Sequence, residues 1–429
     1  MAYIGVSPSN GVRRVHTYTA TASQTTFSGA GAEGTSLSYK DSNFVDVYQN
    51  GVKLGDADYT ATSGTSIVLG TGATASDLVV VVVFDVFSVA DTVSKADGGT
   101  FDGIISTSSA GTSNLRIGAN AGDSIASGGN YNVVLGDEAG TALTTGDNNV
   151  AIGFEALSTE DADGSNTAVG YRSLKTLNAG ASGFNTAVGF DSGTSITEGI
   201  ENTLIGGRAG DALTHADYNV AVGDQSLSAD TQGSKSTAVG HGTLFAQNFT
   251  SSTDSFNTAV GYQAGLLVTT GVQNTLIGGT AGDALTDADF NVAVGYQALS
   301  ADTQGSLSTA VGKSALANQN LTSATNTFNT GIGAGAGEQL TTGPNNTLIG
   351  GVAGDALTTG NQNVAVGAYA LSGGTTYDGN TAIGYNSLLV ANNTSGADGN
   401  NVAVGASSGV AVTSGLRNTI IGVSAGASL

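Results

Sequence analysis

Apolar and polar positions repeat along most of this chain with a fixed short period. Asn-Thr-Ala-Val-Gly, or a close variant, opens at eighteen places: Asn114, Asn132, Asn149, Asn166, Asn185, Asn202, Asn219, Ser236, Asn257, Asn274, Asn291, Ser308, Asn329, Asn346, Asn363, Asn380, Asn401 and Asn418. Most intervals are 17 residues, with 21 after Ser236, Ser308 and Asn380. A period this short predicts a β-solenoid in which each copy is one coil. Counting from the opening residue, position 4 is always a branched aliphatic and position 5 always Gly. Strand alternation places positions 2 and 4 on one face and 3 and 5 on the other. The branched aliphatics predict that the 2/4 face lies inside. The Ala/Gly face then lies outside, thin enough for another backbone to approach.

A second rule governs the interior. Position 9 reads Gly, Gly, Leu, Leu through successive coils, and every Gly coil carries an aliphatic residue at position 12. Each coil thus holds one large anchor, and losing it costs about 2–5 kcal/mol. The full unit is four coils, or 72 residues, seen in Asn202, Asn274, Asn346 and Asn418. The widened stretches 245–256, 317–328 and 389–400 are expected to be loops stacked on one side. Phe249, Asp254, Phe256, Leu321, Phe328, Asn392 and Asp398 are their candidate exposed contacts. Asn at position 1 is expected to form an internal amide ladder, interrupted at Ser236 and Ser308. At about 4.8 Å per coil, the shaft would be on the order of 85 Å long.

Residues 1–88 lack the repeat and read as short strands. Asn50-Gly51, between Phe44–Tyr48 and Val52–Leu54, predicts a type I′ hairpin. The run Leu78–Phe84 is apolar on both faces and predicts a central, doubly covered strand. An antiparallel β-sandwich over residues 1–88 follows. Residues 89–113, rich in Ser, Thr, Gly, Ala and Asp, read as a collar. The shaft occupies 114–429. The fold class is all-β.

Composition narrows the function. Acidic residues number 34 against 12 basic, a net charge of −22, which disfavours a nucleic-acid partner. No cysteine occurs, so disulfides and thiolate metal sites are excluded. The N-terminus has no signal-peptide pattern and no apolar run is long enough to cross a bilayer, so neither secretion nor membrane insertion is expected. His16, His215 and His241 are scattered and read as solvent-exposed. The Asp-rich stretches Asp56–Asp58, Asp161–Gly164 and Asp287–Asp289 lack EF-hand spacing and read as turns; Ca²⁺ is a minor alternative, and no cofactor is expected. No catalytic constellation is evident, and a non-enzymatic protein is expected.

Two resemblances add to this. The stretches V-H-T-Y-T-A-T-A-S-Q-T-T-F, F-V-D-V-Y-Q-N-G-V-K-L-G-D-A-D-Y-T-A-T and F-S-V-A-D-T resemble the N-terminal module of phage tail-fibre and appendage proteins, which implies attachment to a virion. N-V-A-V-G-Y-Q-A-L (Asn291–Leu299) and N-N-V-A-I-G (Asn148–Gly153) resemble the head repeat of trimeric autotransporter adhesins. That likeness implies a parallel β-roll assembled as a homotrimer, with a longer coil than in those heads. Together they imply a virion fibre made in the host cytoplasm. Its N-terminal module would bind a tail, baseplate or other virion protein. Its rod would meet a host-surface glycan or protein, or carry a distal fibre protein, since the chain stops at Leu429 without a globular tip. A capsid or neck fibre is the alternative, and a polysaccharide-degrading tailspike a weaker one.

Overall fold

The computed structural model of the chain describes residues 12–85, 110–180, 182–392 and 398–428. It divides into two compact units, 1–105 and 106–429. Most of the expected collar, and the final anchor Leu429, lie outside the described residues.

The N-terminal unit is an antiparallel sandwich. Its strands are β1 (Val12–Thr19), β2 (Gln24–Ser28), β3 (Val45–Gln49), β4 (Val52–Lys53), β5 (Tyr59–Thr60), β6 (Ser66–Ala73) and β7 (Leu78–Asp85). One sheet runs β1-β7-β3-β4 and the other β2-β6-β5. The hairpin forms as expected: Asn50 and Gly51 have φ of 50° and 84°, and Gln49 faces Val52. The apolar run is the central strand β7. Val79, Val81 and Val83 point into the core with Phe27, Val47, Ile67 and Leu69. Its other face is only partly covered: Val82 is buried, but Leu78 and Phe84 are exposed. The outer edge of β1 is capped by Glu33, which accepts from the Thr17 amide at 2.8 Å and the Thr17 hydroxyl at 2.6 Å. Such capping removes free donors from a sheet edge.

The second unit is a parallel β-solenoid with one three-residue strand per coil, from Leu115–Ile117 to Thr419–Ile421. Each strand pairs in register with the equivalent strand one coil away, as Thr275–Ile277 does with Val292–Val294. The inward face is the reverse of the sequence expectation. Position 3 is buried in nearly every coil, as Ala221, Ala238, Ala259 and Leu276 show. The aliphatic residue at position 4 faces out: Ile205 and Ile277 are each 39% exposed. Alternation gives the reason. An interior Asn at position 1 carries position 3 inward with it and turns positions 2 and 4 outward.

The anchors at positions 9 and 12 are buried as expected, among them Leu157, Leu213, Leu227 and Leu285. A third interior site escaped the sequence rule. In the second coil of the three middle Gly pairs, position 3 is Leu204, Leu276 or Leu348, and it reaches into space left by the glycines; Val134 and Ile420 hold that place in the first and last pairs. A Cβ on Gly265 or on Gly282 would stand 2.7 Å from a Leu276 methyl. Position 9 is left-handed whatever its side chain, with φ of 54° at Leu299 and 57° at Gly210. A left-handed leucine costs about 1–2 kcal/mol, which burying it offsets by roughly 1.5–3 kcal/mol.

The position 5 glycines have φ between 126° and 147°. Each packs on the same glycine of the next coil: a Cβ on Gly136 would lie 2.7 Å from the Gly153 carbonyl oxygen. A close backbone approach at this Gly column is thus made within the chain, coil on coil.

Candidate interaction surface

Two features of the solenoid bear on function: a polar spine inside and an apolar face outside. The spine begins with the position 1 amides. Asn291 donates its backbone N–H to Asn274 Oδ1 and its Nδ2 to the Gly305 carbonyl, both at 2.9 Å. Ser308 N–H donates in turn to Asn291 Oδ1 at 2.9 Å. The pattern runs through the Asn column, which is buried except at half-buried Asn418. The two serines do not break it. Gln247 Nε2 donates to Ser236 Oγ at 3.0 Å, and Gln247 Oε1 accepts from Asn257 Nδ2 at 2.9 Å. Gln319 relays Ser308 to Asn329 in the same way, at 2.8 and 2.9 Å. Where Asn shortens to Ser, a Gln from position 12 of that coil restores the connection. Pairing every buried amide matters because an unpaired one costs about 1–3 kcal/mol.

The widened stretches are more ordered than the expected loops. Thr253–Asp254 pairs in parallel with Gly233–Ser234, and Thr325–Asn326 with Gly305–Ser306. Asp398 bridges Asp378. The extra residues thus add a short second ladder. Two candidate contacts are buried by it: Phe249 is 6% and Leu321 7% exposed. Their backbone amides donate to Asp230 and Asp302, which draws the side chains beneath the surface. Asp254, Phe256, Phe328 and Asp398 are exposed. Asn392 is half-buried, its Oδ1 accepting from the Thr375 hydroxyl at 3.1 Å.

The outward face is broad. Position 2 is Thr or Val after the first coil, and position 4 Val, Ile or Leu. The residues flanking the strand, one before the Asn and one after the Gly, are often aromatic. In one coil Phe184, Val188 and Phe190 are all exposed, and in another Phe256 and Tyr262. Aromatics stack along the axis: Phe154 on Tyr171 at 5.5 Å and Tyr171 on Phe190 at 5.1 Å, with interplanar angles of 18° and 6°. Arg172 lies over the Tyr171 ring at 5.2 Å, and Lys235 over Phe256 at 5.3 Å. Rings stacked this way show their edges, not their faces, to a partner.

Charged side chains are sparse beside this face and are paired where they cluster. Glu155 accepts from Lys175 at 2.7 Å and Arg172 at 2.9 Å, and these donors hold its carboxyl below the ordinary range. His215 and His241 are exposed, 3.8 Å from Glu198 and 3.6 Å from Asp224. His16 is not exposed: it is buried on β1, with Nδ1 3.1 Å from the Thr35 carbonyl. Among the described residues no three His, Cys, Asp or Glu side chains stand close enough to hold a metal ion. No helix among them is long and apolar enough to cross a membrane. In the sandwich, a cavity of about 450 Å³ is lined by Arg14, Tyr39, Lys40, Asp41, Phe44, Val83 and Phe84.

No family model, curated protein or solved structure matches the chain.

Proposed function

We propose that this chain is a structural fibre of a phage virion, attached through residues 1–113 and assembled as a homotrimer along its shaft. The observation that carries the reading is the outward strand face: one apolar column, coil after coil, on a parallel solenoid that follows an antiparallel sandwich. The trimer contact belongs on this face, at positions 2 and 4, and not on the Ala/Gly side. Covering it would contribute roughly 1 kcal/mol per coil and copy at about 25 cal/mol per Å². A repeated contribution of that size outweighs the freedom lost on association. The sandwich, with its cavity between Phe44 and Phe84, is the end that meets a tail, baseplate or other virion protein. The rod presents a host-surface glycan or protein with its flanks, or carries a further fibre protein.

The test is immunogold labelling of phage particles with antibodies raised against the full chain, alongside light scattering of the purified protein. Labelled tail fibres and a mass of three chains support the proposal. Label confined to the capsid or neck favours the alternative site of attachment. Unlabelled particles overturn it.

A further inference from the structure

The four-coil units build an interior pocket at the same place four times, and only the middle two copies carry the same side chains. The pocket is formed by positions 12 and 15 of the third coil and position 12 of the fourth. In the second unit these are Asp230, Gly233 and Gln247, and in the third Asp302, Gly305 and Gln319. There the buried carboxylate is fully served. Asp230 Oδ1 accepts from the amides of Gly233 and Phe249, each at 3.0 Å, and Oδ2 from Gln247 Nε2 at 2.6 Å. Asp302 repeats this with Gly305, Leu321 and Gln319. In the fourth unit the carboxylate is gone. Gly374 and Ala391 leave room for buried Tyr377, whose hydroxyl donates to the Gly415 carbonyl at 2.6 Å.

The first unit holds Glu160, Asp163 and Leu177. A second carboxyl stands where the second and third units have Gly, and leucine stands where those two have the glutamine donor. Glu160 is fully buried and Asp163 nearly so. One amide serves the pair, Asp163 N–H to Glu160 Oε1 at 3.0 Å. Glu160 Oε2 and Asp163 Oδ2 are buried with no hydrogen-bond partner. The pocket therefore lacks one donor, the one that Gln supplies in the next two units, and has one negative charge too many.

We infer that Glu160 and Asp163 share a proton, Glu160 staying a carboxylic acid that donates to Asp163, which makes the first unit of the shaft sensitive to pH. Two carboxyls against each other out of water cannot both ionise without large cost. Burial pushes the Glu160 carboxyl up to about 7, and Asp163 beside it adds to the effect. The surrounding charges do not relieve the pair. Asp161 on the same turn is a like charge. Asp147, one coil before, is held by the Asn130 amide, and Lys175, one coil after, by Glu155. The folded chain thus holds a proton that the unfolded chain releases near 4.5. Folded binding exceeds unfolded binding between about pH 5 and 7, so local stability falls across that interval and levels off above it. This inference rests on the coil geometry and stands apart from the fibre proposal.

The experiment is hydrogen exchange of the full chain from pH 5 to 8, corrected for the intrinsic rate. The corresponding coils of the second unit, residues 219–250, serve as internal control. The expected result is that protection in residues 149–180 falls up to tenfold per pH unit between about 5 and 7, while the control stays flat. The E160Q variant, which supplies a permanent N–H donor, is expected to abolish the slope. The E160D/D163G/L177Q variant, which installs the second unit's pocket, is expected to do the same. Infrared spectroscopy of the unaltered chain adds a readout that needs no variant: a protonated carboxyl band persisting at pH 6. A flat wild-type profile overturns the inference, as does a slope that survives in both variants. Recovery of protection at pH 8 on adding Ca²⁺ or Mg²⁺ overturns it too, since the pair would then hold a cation.

Discussion

Leu204 fills the space that Gly210 leaves empty. A Cβ on Gly210 would sit 2.9 Å from Leu204 Cδ2 and 2.8 Å from Leu213 Cδ1, and Gly210 has φ of 57°. The Gly210→Ala substitution is expected to destabilise its coil by about 2–4 kcal/mol, combining left-handed strain with overpacking. Leu204→Ala alone should cost about 2–5 kcal/mol as a cavity. The double variant should fall short of the sum by roughly 1–3 kcal/mol. Urea unfolding of the three variants measures this; strict additivity would show that the two residues do not share the space.

The amide spine predicts a second loss. Asn291→Ala would leave the Ser308 N–H and the Gly305 carbonyl unpaired in the interior. The expected cost is about 2–4 kcal/mol. Hydrogen exchange should place it in the coils on either side of Asn291 and not along the whole shaft, because contacts run only between neighbours. A uniform loss of protection would contradict a nearest-neighbour rod.

The outward face predicts an effect on assembly without an effect on folding. Ile277 and Ile349 point away from the coil interior. The I277K/I349K variant is expected to shift the purified chain from trimer to monomer in sedimentation velocity while leaving its circular dichroism unchanged. Substituting inward Ala293 with Lys should instead unfold the coil locally. A trimer that tolerates both outward lysines would place its contact on another face.

Asp77 predicts a pH dependence in the sandwich. Its carboxylate accepts from Asn50 Nδ2, Thr74 Oγ1, Gln49 Nε2 and the Thr74 amide at 2.7 to 2.9 Å. These donors, Asn50 first, hold it well below its ordinary value of 3.8. A lowered carboxyl stabilises above its unfolded value, and that stability is withdrawn as pH falls into the strongly acid range. Asp77→Ala should therefore lower the melting temperature of the sandwich at pH 7, with the difference from wild type narrowing below pH 3.8. A difference that does not change with pH would assign Asp77 a purely steric role.

Much of this architecture was legible in the residues. The period, the 72-residue unit, the anchors at positions 9 and 12 and the Asn50-Gly51 hairpin all follow from local rules with a geometric cause. The direction of the strand face is less legible, because branched aliphatics at position 4 have the character of core residues while facing out. The Asn column already held the answer, since an interior position 1 requires an interior position 3. Leu204, Leu276 and Leu348 carried a further signal: the large residue at position 3 recurs only in coils with Gly at position 9. Gln247 and Gln319 are harder to read, because their partners, Ser236 and Asp230 for the first and Ser308 and Asp302 for the second, become neighbours only once the coil has closed. The burial of Phe249 and Leu321 was hidden for the same reason. Their backbone amides are fixed by an acid 19 residues earlier.

The alternation of Leu and Gly at position 9 also limits how a gene of this kind can change. Duplicating a single coil would put three filled layers, or three hollow ones, in a row where the chain has pairs. Duplicating four coils preserves every interlayer fit. Lengths that differ by whole multiples of the larger unit are therefore the ones open to recombination, and a lineage built on this scheme would extend its reach in steps of about 19 Å.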